Sequence, residues 1–316
     1  MNPQISVVIT TYRRDDYLKR AIQSVLEQTY DNFELIIVDD FPSQKTIDVV
    51  EQYNSSKIKF FQHSYNRGLP AARNTGLNKA KGKFVAYLDD DDEWLPDKLE
   101  KQFSLMDTHF DAAVIYCGAI IVSSDGECLF ENQPTMKGNI RSEIKSKGLY
   151  TIPSSCLFRK SVLEDIDGFD ENLPSHIDHD IWLKLAEGGY YADYVNESLV
   201  RVYQHENNQM TTHIKARVKA TEVLCDKWMP LMIEWWGKRS AINYCNEFHA
   251  RVMDMLGWRL IDQNQRMYSL RCFISAVKYQ PRNLKFYYGL LSSIIGKKTS
   301  QKLVKFIKND LLKHHD

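Results

Sequence analysis

The chain has 316 residues, 43% of them hydrophobic, so it can bury a full core without disulfide or metal staples. Its six cysteines, Cys117, Cys128, Cys156, Cys225, Cys245 and Cys272, include no Cys-x-x-Cys pair, which argues against a structural zinc site and a secreted disulfide framework and points to a reducing, cytoplasmic setting. Lysine plus arginine and aspartate plus glutamate number 41 each, yet the residues from Lys215 onward hold 19 basic against 8 acidic side chains. The split predicts a cation as partner in front and an anionic surface behind, with solvated helix faces as the plainer alternative; the basic residues are dispersed and carry no nucleic-acid recognition motif.

In chain order, Ile5 to Thr10 is a short β-branched run that reads as a buried strand. Leu18, Ala21, Ile22, Val25 and Leu26 then fall at helical spacing. A second strand, Phe33 to Val38, ends at Asp39-Asp40, a helix covers Thr46 to Tyr53, and Ile58 to Phe61 is a third strand. Leu69 to Lys81 reads as a helix stopped by Gly82 in a left-handed cap. The fourth strand, Phe84 to Leu88, opens into Asp89-Asp90-Asp91-Asp92. Such alternation predicts an α/β domain with a central, mostly parallel sheet, and in these sheets ligands gather beyond the carboxyl ends of the strands. Polar residues cluster at those ends: Thr10 to Tyr12, Asp39-Asp40 and Asp89 to Asp92.

Short strands and turns follow, with a helix from Ile181 to Glu187. From about Lys215 the chain turns helical, aromatic and basic, so the expected organisation is a catalytic domain over 1–214 and a helical, basic region over 215–316. Met267 to Ile295 reads as a helix pair broken at Pro281, with Leu270, Phe273, Ala276 and Val277 lining one face and Leu284, Tyr287, Leu290 and Leu291 following. The last helix, Ser300 to Lys313, mixes apolar residues with lysines, a composition suited either to a membrane interface or to packing on its own domain. There is no signal-like N-terminal segment, and the longest nearly apolar run, Ala112 to Val122, is too short to cross a bilayer.

Four adjacent carboxylates repel one another and call for a cation or solvent to relieve them. On an extended segment Asp89 and Asp91 would point the same way, and oxygen ligands of this kind suit Mg²⁺ or Mn²⁺ sharing the phosphates of a nucleotide.

Taken together, the motifs resemble those of the family 2 glycosyltransferases with the GT-A fold. The resemblance rests on Ser6 to Tyr12, Ala21 to Tyr30, Glu34 to Asp40, Asn66 to Gly76, Tyr87 to Trp94, Gly168 to Glu171 and Asp178 to Ala186, about two thirds of the chain. It implies an inverting transferase that moves a hexose-type sugar from a nucleotide-sugar, a UDP-sugar by preference, to a carbohydrate or lipid-linked saccharide acceptor. Bacterial surface-polysaccharide assembly, in the cytoplasm or at the inner membrane face, is the implied setting. The alternative is a catalytically silent nucleotide- or sugar-binding module of the same fold.

By the same resemblance Thr10 and Tyr12 line the uracil pocket, Asp39 accepts from the base, and Arg73 lies near the nucleotide; the plainer alternatives are a helix N-cap for either aspartate of the Asp39-Asp40 pair and a salt bridge from Arg73 to the aspartate cluster. Asp89 and Asp91 match the family's D-x-D element, with Asp91 the direct ligand of a Mn²⁺ or Mg²⁺ ion and Asp90 available to donor hydroxyls. Of Asp90 and Asp92, one suits donor ribose or sugar hydroxyls and one the cap of the helix beginning near Pro96. Asp178 corresponds to the catalytic base with Asp180 as alternative, although Asp180 also suits a helix N-cap. His205 is a further metal or diphosphate candidate, with Arg201 beside it. Two departures stand out: Phe41-Pro42-Ser43 replaces the usual Gly-Ser after the acidic pair, and Ile177 stands where a Glu is usual.

Overall fold

The β-branched segment Ile5–Thr11 forms β1, buried along its whole length. A computed structural model describes residues 2–123, 125–147, 152–204 and 214–301. The chain divides into two units, Met1–Gln209 and Met210–Asp316.

In the first unit, β1 pairs in parallel with β2 (Phe33–Asp39) and with β4 (Phe84–Asp89), while β3 (Ile58–Gln62) extends the sheet beyond β2. The register sets Thr11 opposite Asp39 and Thr10 opposite Asp89, so the polar strand ends form one line. Helices α1 (Asp15–Leu26), α2 (Gln44–Glu51) and α3 (Leu69–Lys79) make the crossovers. The other half of the sheet is mixed: β9 (Leu157–Arg159) runs antiparallel between β4 and β6 (Ala112–Val122), and β10 (Tyr191–Tyr203) lies parallel to β6. Short β5 (Glu93–Trp94) and β8 (Gly138–Asn139) pair with β10, and β7 (Cys128–Asn132) with β6. Helices α4 (Lys98–Thr108), α5 (Ile140–Lys147), α6 (Lys160–Asp165) and α7 (Ile177–Glu187) complete this unit. The core joins both halves, from Ile5 and Leu35 through Trp94 and Leu99 to Ile115 and Leu157.

Several expectations change. Gly82 is not a left-handed cap: α3 ends at Lys79, with Ala80 extended at its C-cap. A Cβ on Gly82 would meet the Ser6 nitrogen at 2.6 Å, so glycine there permits the chain to pass against β1. Neither aspartate of the Asp39-Asp40 pair caps α2; the Ser43 hydroxyl does, accepting from the Thr46 nitrogen. Helix α7 starts at Ile177, one turn before the expected start, with His176 at its N-cap. Asp180 is therefore inside the first turn, fully buried, and is not the cap.

The second unit, as described, consists of α8 (Ile214–Trp236), α9 (Lys238–Asp262), α10 (Arg266–Tyr279) and α11 (Leu284–Ile295). The predicted break at Pro281 is the α10–α11 turn, but the packed face of α11 differs from expectation. It buries Phe286, Gly289, Ser292 and Ser293, while Leu284 and Tyr287 face solvent. Among the described residues no helix is long and apolar enough to cross a membrane.

Beneath the carboxylate turn lies a buried lysine. Lys98 Nζ sits 3.8 Å from the centre of the Trp94 ring and donates to Gln102 Oε1 at 2.7 Å. Burial pulls its pKa down from 10.5 to about 8, against a smaller opposing pull from Cys117 and Cys156. The unfolded chain thus holds this proton more firmly between about pH 8 and 10.5, so Lys98 costs stability at neutral pH and the cost fades as pH rises through that window. In denaturant melts, the stability of the wild type relative to Lys98→Met is expected to improve by roughly 2 kcal/mol between pH 7 and pH 10. A difference that stays flat over that range would refute the depressed pKa.

Candidate active site

At the end of β4 the chain folds back, with the Asp92 nitrogen donating to the Asp89 carbonyl at 3.1 Å. Asp89 and Asp91 consequently do not act as alternate residues of an extended strand, and each meets a different arginine. Arg73 Nη2 donates to Asp89 Oδ1 at 2.7 Å. Arg14 Nη1 donates to Asp91 Oδ2 at 2.8 Å and to Asp90 Oδ1 at 3.2 Å. The Thr11 hydroxyl donates to the other oxygen of Asp90 at 2.7 Å. Arg20, its guanidinium 3.5 Å above the Tyr203 ring, donates to the Asp91 carbonyl at 2.8 Å.

Burial, then the Asp91 charge, pushes the Asp90 carboxyl up to about 7 against the pull of Arg14 and the Thr11 hydroxyl. Burial and the charges of Asp91 and Asp89 also raise Asp92 well above the carboxylate range. Asp92 does not cap the next helix, where Asp97 occupies the N-cap position. It accepts from the Ser154 hydroxyl at 2.5 Å, and Ser154 Oγ in turn accepts from the Asp89 nitrogen at 3.1 Å. Ser154 thereby ties the two ends of the aspartate turn together. The Ser154 carbonyl in turn receives Trp94 Nε1 at 2.7 Å, directly above Lys98.

Arg73 is the fulcrum. Its side chain is 1% exposed, and its Nη1 donates to Asp178 Oδ1 at 2.5 Å while Nη2 holds Asp89. Burial alone would lower its pKa, but Asp178 and Asp89 outweigh that and hold it above its ordinary value. The rings of Phe169 and Tyr87 lie 5.2 and 5.9 Å from the guanidinium and 5.1 Å from each other. Phe169 is placed by the neighbour of Arg73 on α3: Asn74 donates to the Phe169 carbonyl at 2.8 Å and accepts from its nitrogen at 2.9 Å. Gly168 passes in the left-handed region at φ 53°, where a Cβ would meet Asn74 Oδ1 at 2.6 Å. The Gly168-Phe169 and Arg73-Asn74 motifs are thus one contact. Asp178 arrives on the first turn of α7, after His176 in a left-handed conformation (φ 62°), a strained choice for a residue with a Cβ.

The other predicted residues lie along the same sheet edge. Thr10 and Asp39 are buried at the ends of β1 and β2. Asp39 accepts from the Phe41 nitrogen and Gln62 Nε2, each at 3.2 Å, and burial raises its pKa in spite of these bonds. Tyr12 is 41% exposed and meets Phe41 edge-on at 6.0 Å, with the Arg13 guanidinium 4.1 Å above Phe41. The bulky replacement for glycine therefore builds an aromatic wall at the mouth. Asp40 has a structural task, accepting from the nitrogens of Arg67 and Gly68 at 2.8 and 2.7 Å and from His63 at 2.8 Å, which fixes the entry to α3. Arg201 pairs with Glu93 at 3.4 Å. His205 and most of the helix expected over 300–313 lie outside the described residues.

Among the described residues no three His, Cys, Asp or Glu side chains are spaced to hold a metal ion. The donor chemistry nonetheless fits: Asp89 and Asp91 offer hard carboxylate oxygens, and magnesium-like ions are commonly held by one or two carboxylates with ligand phosphates and water. Arg14, Arg20 and Ser154 went unnoticed in the sequence. The Arg13-Arg14 pair just past β1 was the available signal for Arg14, whereas Ser154 has no local signature and is 65 residues from Asp89.

Comparisons with known proteins show the family and the fold. Residues 6–167 match the profile of Glycosyl transferase family 2. The chain is 31% identical over 227 residues to the putative teichuronic acid biosynthesis glycosyltransferase TuaG of Bacillus subtilis, covering 69% of this chain and 86% of that one. It is 41% identical over 102 residues to WfgD of Escherichia coli, a UDP-Glc:alpha-D-GlcNAc-diphosphoundecaprenol beta-1,3-glucosyltransferase, a match spanning 32% of this chain and 40% of WfgD. Among solved structures, S. aureus TarS 1-349 in complex with UDP-GlcNAc superposes with a TM-score of 0.62 over 96% of this chain and 91% of that one at 18% identity, which establishes the GT-A fold.

Ser154→Ala removes the hydroxyl that links Asp89 to Asp92 and leaves a buried carboxylate short of a donor. The expected cost is about 1–3 kcal/mol in the free energy of unfolding, read by urea titration. A loss below ~0.5 kcal/mol, the size of an ordinary surface change, would show that the turn holds itself.

Proposed function

The chain belongs to the family 2 glycosyltransferases, and from that premise we propose a donor, an acceptor class and a set of roles for its residues. The donor is a UDP-sugar carrying a hexose-type sugar, and the acceptor is the hydroxyl of a carbohydrate or lipid-linked saccharide in bacterial surface-polysaccharide assembly. The observation that carries the reading is Arg73, a buried fork between Asp89 and Asp178, which joins the donor-side carboxylates to a carboxylate on the other wall. The naming of WfgD and TuaG supports the acceptor class, and the ligand in TarS supports UDP. Residues 1–214 form the catalytic domain and 215–316 an auxiliary helical one.

In this reading the base is read by Asp39 and flanked by Thr10 and Tyr12, with Phe41 completing the wall. Asp39 accepts from the uracil N–H. Asp91, with Asp89, holds a divalent Mn²⁺ or Mg²⁺ ion, and Asp90 accepts from donor hydroxyls. The bound ion supplies Lewis-acid neutralisation of the diphosphate charge. Arg14 and Arg73 add fixed positive charge beside the leaving group. Asp178 accepts the proton of the acceptor hydroxyl as its oxygen bonds to the anomeric carbon. The bond from that carbon to the phosphate oxygen breaks on the opposite face, the electron pair leaves with UDP, and the configuration inverts. Asp178 is preferred over Asp180 because Asp180 is fully buried in the first turn of α7, whereas Asp178 is 29% exposed and held by Arg73.

Asp178→Asn is expected to lower kcat by about two to four powers of ten while preserving the thermal shift given by UDP with Mn²⁺. Asp91→Ala is expected to abolish the metal-dependent part of that shift. No shift with UDP, GDP, dTDP or CMP on the folded wild type would sink the donor assignment, and an Asp178→Asn enzyme at full rate would sink the base.

A further inference from the structure

The outer face of the α10–α11 hairpin is built inside out. Beside the buried Phe273 and Phe286, packing within the hairpin uses small and polar side chains: the Ser269 and Ser293 hydroxyls are 2.8 Å apart, and Gly289 lies against the Phe273 ring. Other large apolar residues are left outside. On α10, Met267 and Ile274 are 69% and 54% exposed, and on α11 Leu284 and Ile294 are 79% and 63% exposed. These positions are spaced as stripes: Leu284, Tyr287, Leu291 and Ile294 lie one above another along α11, as do Met267, Arg271, Ile274 and Lys278 along α10.

Charge identifies what such a face meets. Between Gln263 and Gln301 there are seven lysines and arginines and no aspartate or glutamate. Acidic partners come from α9, where Asp254 pairs with Lys285 and Asp262 with Lys297, each at 2.7 Å. On the α10 stripe, Arg271 and Lys278 alternate with the apolar residues, and Arg271 lies 5.8 Å from the ring of Tyr268, itself 57% exposed. Apolar residues to enter the acyl boundary, aromatic residues for the headgroup level and cations for acidic headgroups together fit an interfacial element. A second copy of this chain would set the same basic surface against itself, which like-charge repulsion opposes.

We propose that the outer face of the α10–α11 hairpin docks the protein onto an anionic lipid surface. This face is distinct from the donor site and does not depend on the donor assignment. Because each basic residue near an acidic membrane contributes about fivefold in affinity, the paired change Arg271→Gln with Lys278→Gln is expected to weaken binding about 25-fold.

The test is vesicle flotation of the full chain with phosphatidylcholine alone and with phosphatidylcholine containing phosphatidylglycerol. Binding is expected only to the anionic vesicles and is expected to fall as salt rises. A second variant, Ile274→Ser with Ile294→Ser, is expected to lower it as well, and melting temperature checks that each variant is folded. Three outcomes would overturn the proposal: no flotation with anionic vesicles, equal flotation of folded variants and wild type, or a face buried in a dimer that the serine variant dissociates in sedimentation velocity.

Discussion

A guanidinium buried among carboxylates at the ends of parallel strands is the constraint around which this molecule is arranged. Removing charges from water is expensive unless each finds a partner, and Arg73 reconciles two acidic groups that the fold brings from opposite sides. Asp89 arrives on β4 because the sheet register demands it, and Asp178 arrives on α7, 89 residues later. The aromatic rings around Arg73 and the Asn74 clamp on Phe169 keep the fork in place. An arginine held on so many sides loses little entropy when it acts.

The aspartate turn shows how like charges are kept together. Four consecutive carboxylates are divided between Arg73 on Asp89, Arg14 on Asp90 and Asp91, and the Ser154 hydroxyl on Asp92. Support continues downward through Ser154, Trp94, Lys98 and Gln102, a buried hydrogen-bonded column. Such a column contributes rigidity only because its members satisfy one another.

The two units spend their apolar residues differently. The first buries its β-branched runs in the sheet core, with every residue of β1 and β2 shielded. In the second, α11 turns serines, a glycine and Phe286 inward and leaves Leu284, Ile294 and Tyr287 outside. Burying a glycine against Phe273 brings the helices close at the price of the hydrophobic area that leucines there would have contributed. That arrangement is consistent with a face whose apolar partner is external.

What was legible in the sequence is what local chemistry controls. Alternating strands and helices followed from hydrophobic periodicity, and the strand-end positions of Thr10, Asp39 and Asp89 followed from where the apolar runs stop. Family membership was visible for a similar reason, because its motifs are short and contiguous. Turn conformation and long-range pairing were not visible. Gly82 read as a helix cap, whereas close approach to β1 required it; Asp89 and Asp91 read as neighbours on one face until a backbone hydrogen bond turned the chain between them. Leu284 and Tyr287 had the spacing of a packed face, but periodicity says only that residues share a side of a helix, and the neighbouring helix decides which side is buried. The sequence by itself therefore determined the α/β order and the residue types at the strand ends. Only the tertiary structure decided how these residues meet, with Arg73 spanning Asp89 and Asp178 and Ser154 tying Asp89 to Asp92, because ion pairs and hydrogen bonds act over a few ångströms of space and leave no trace in chain separation.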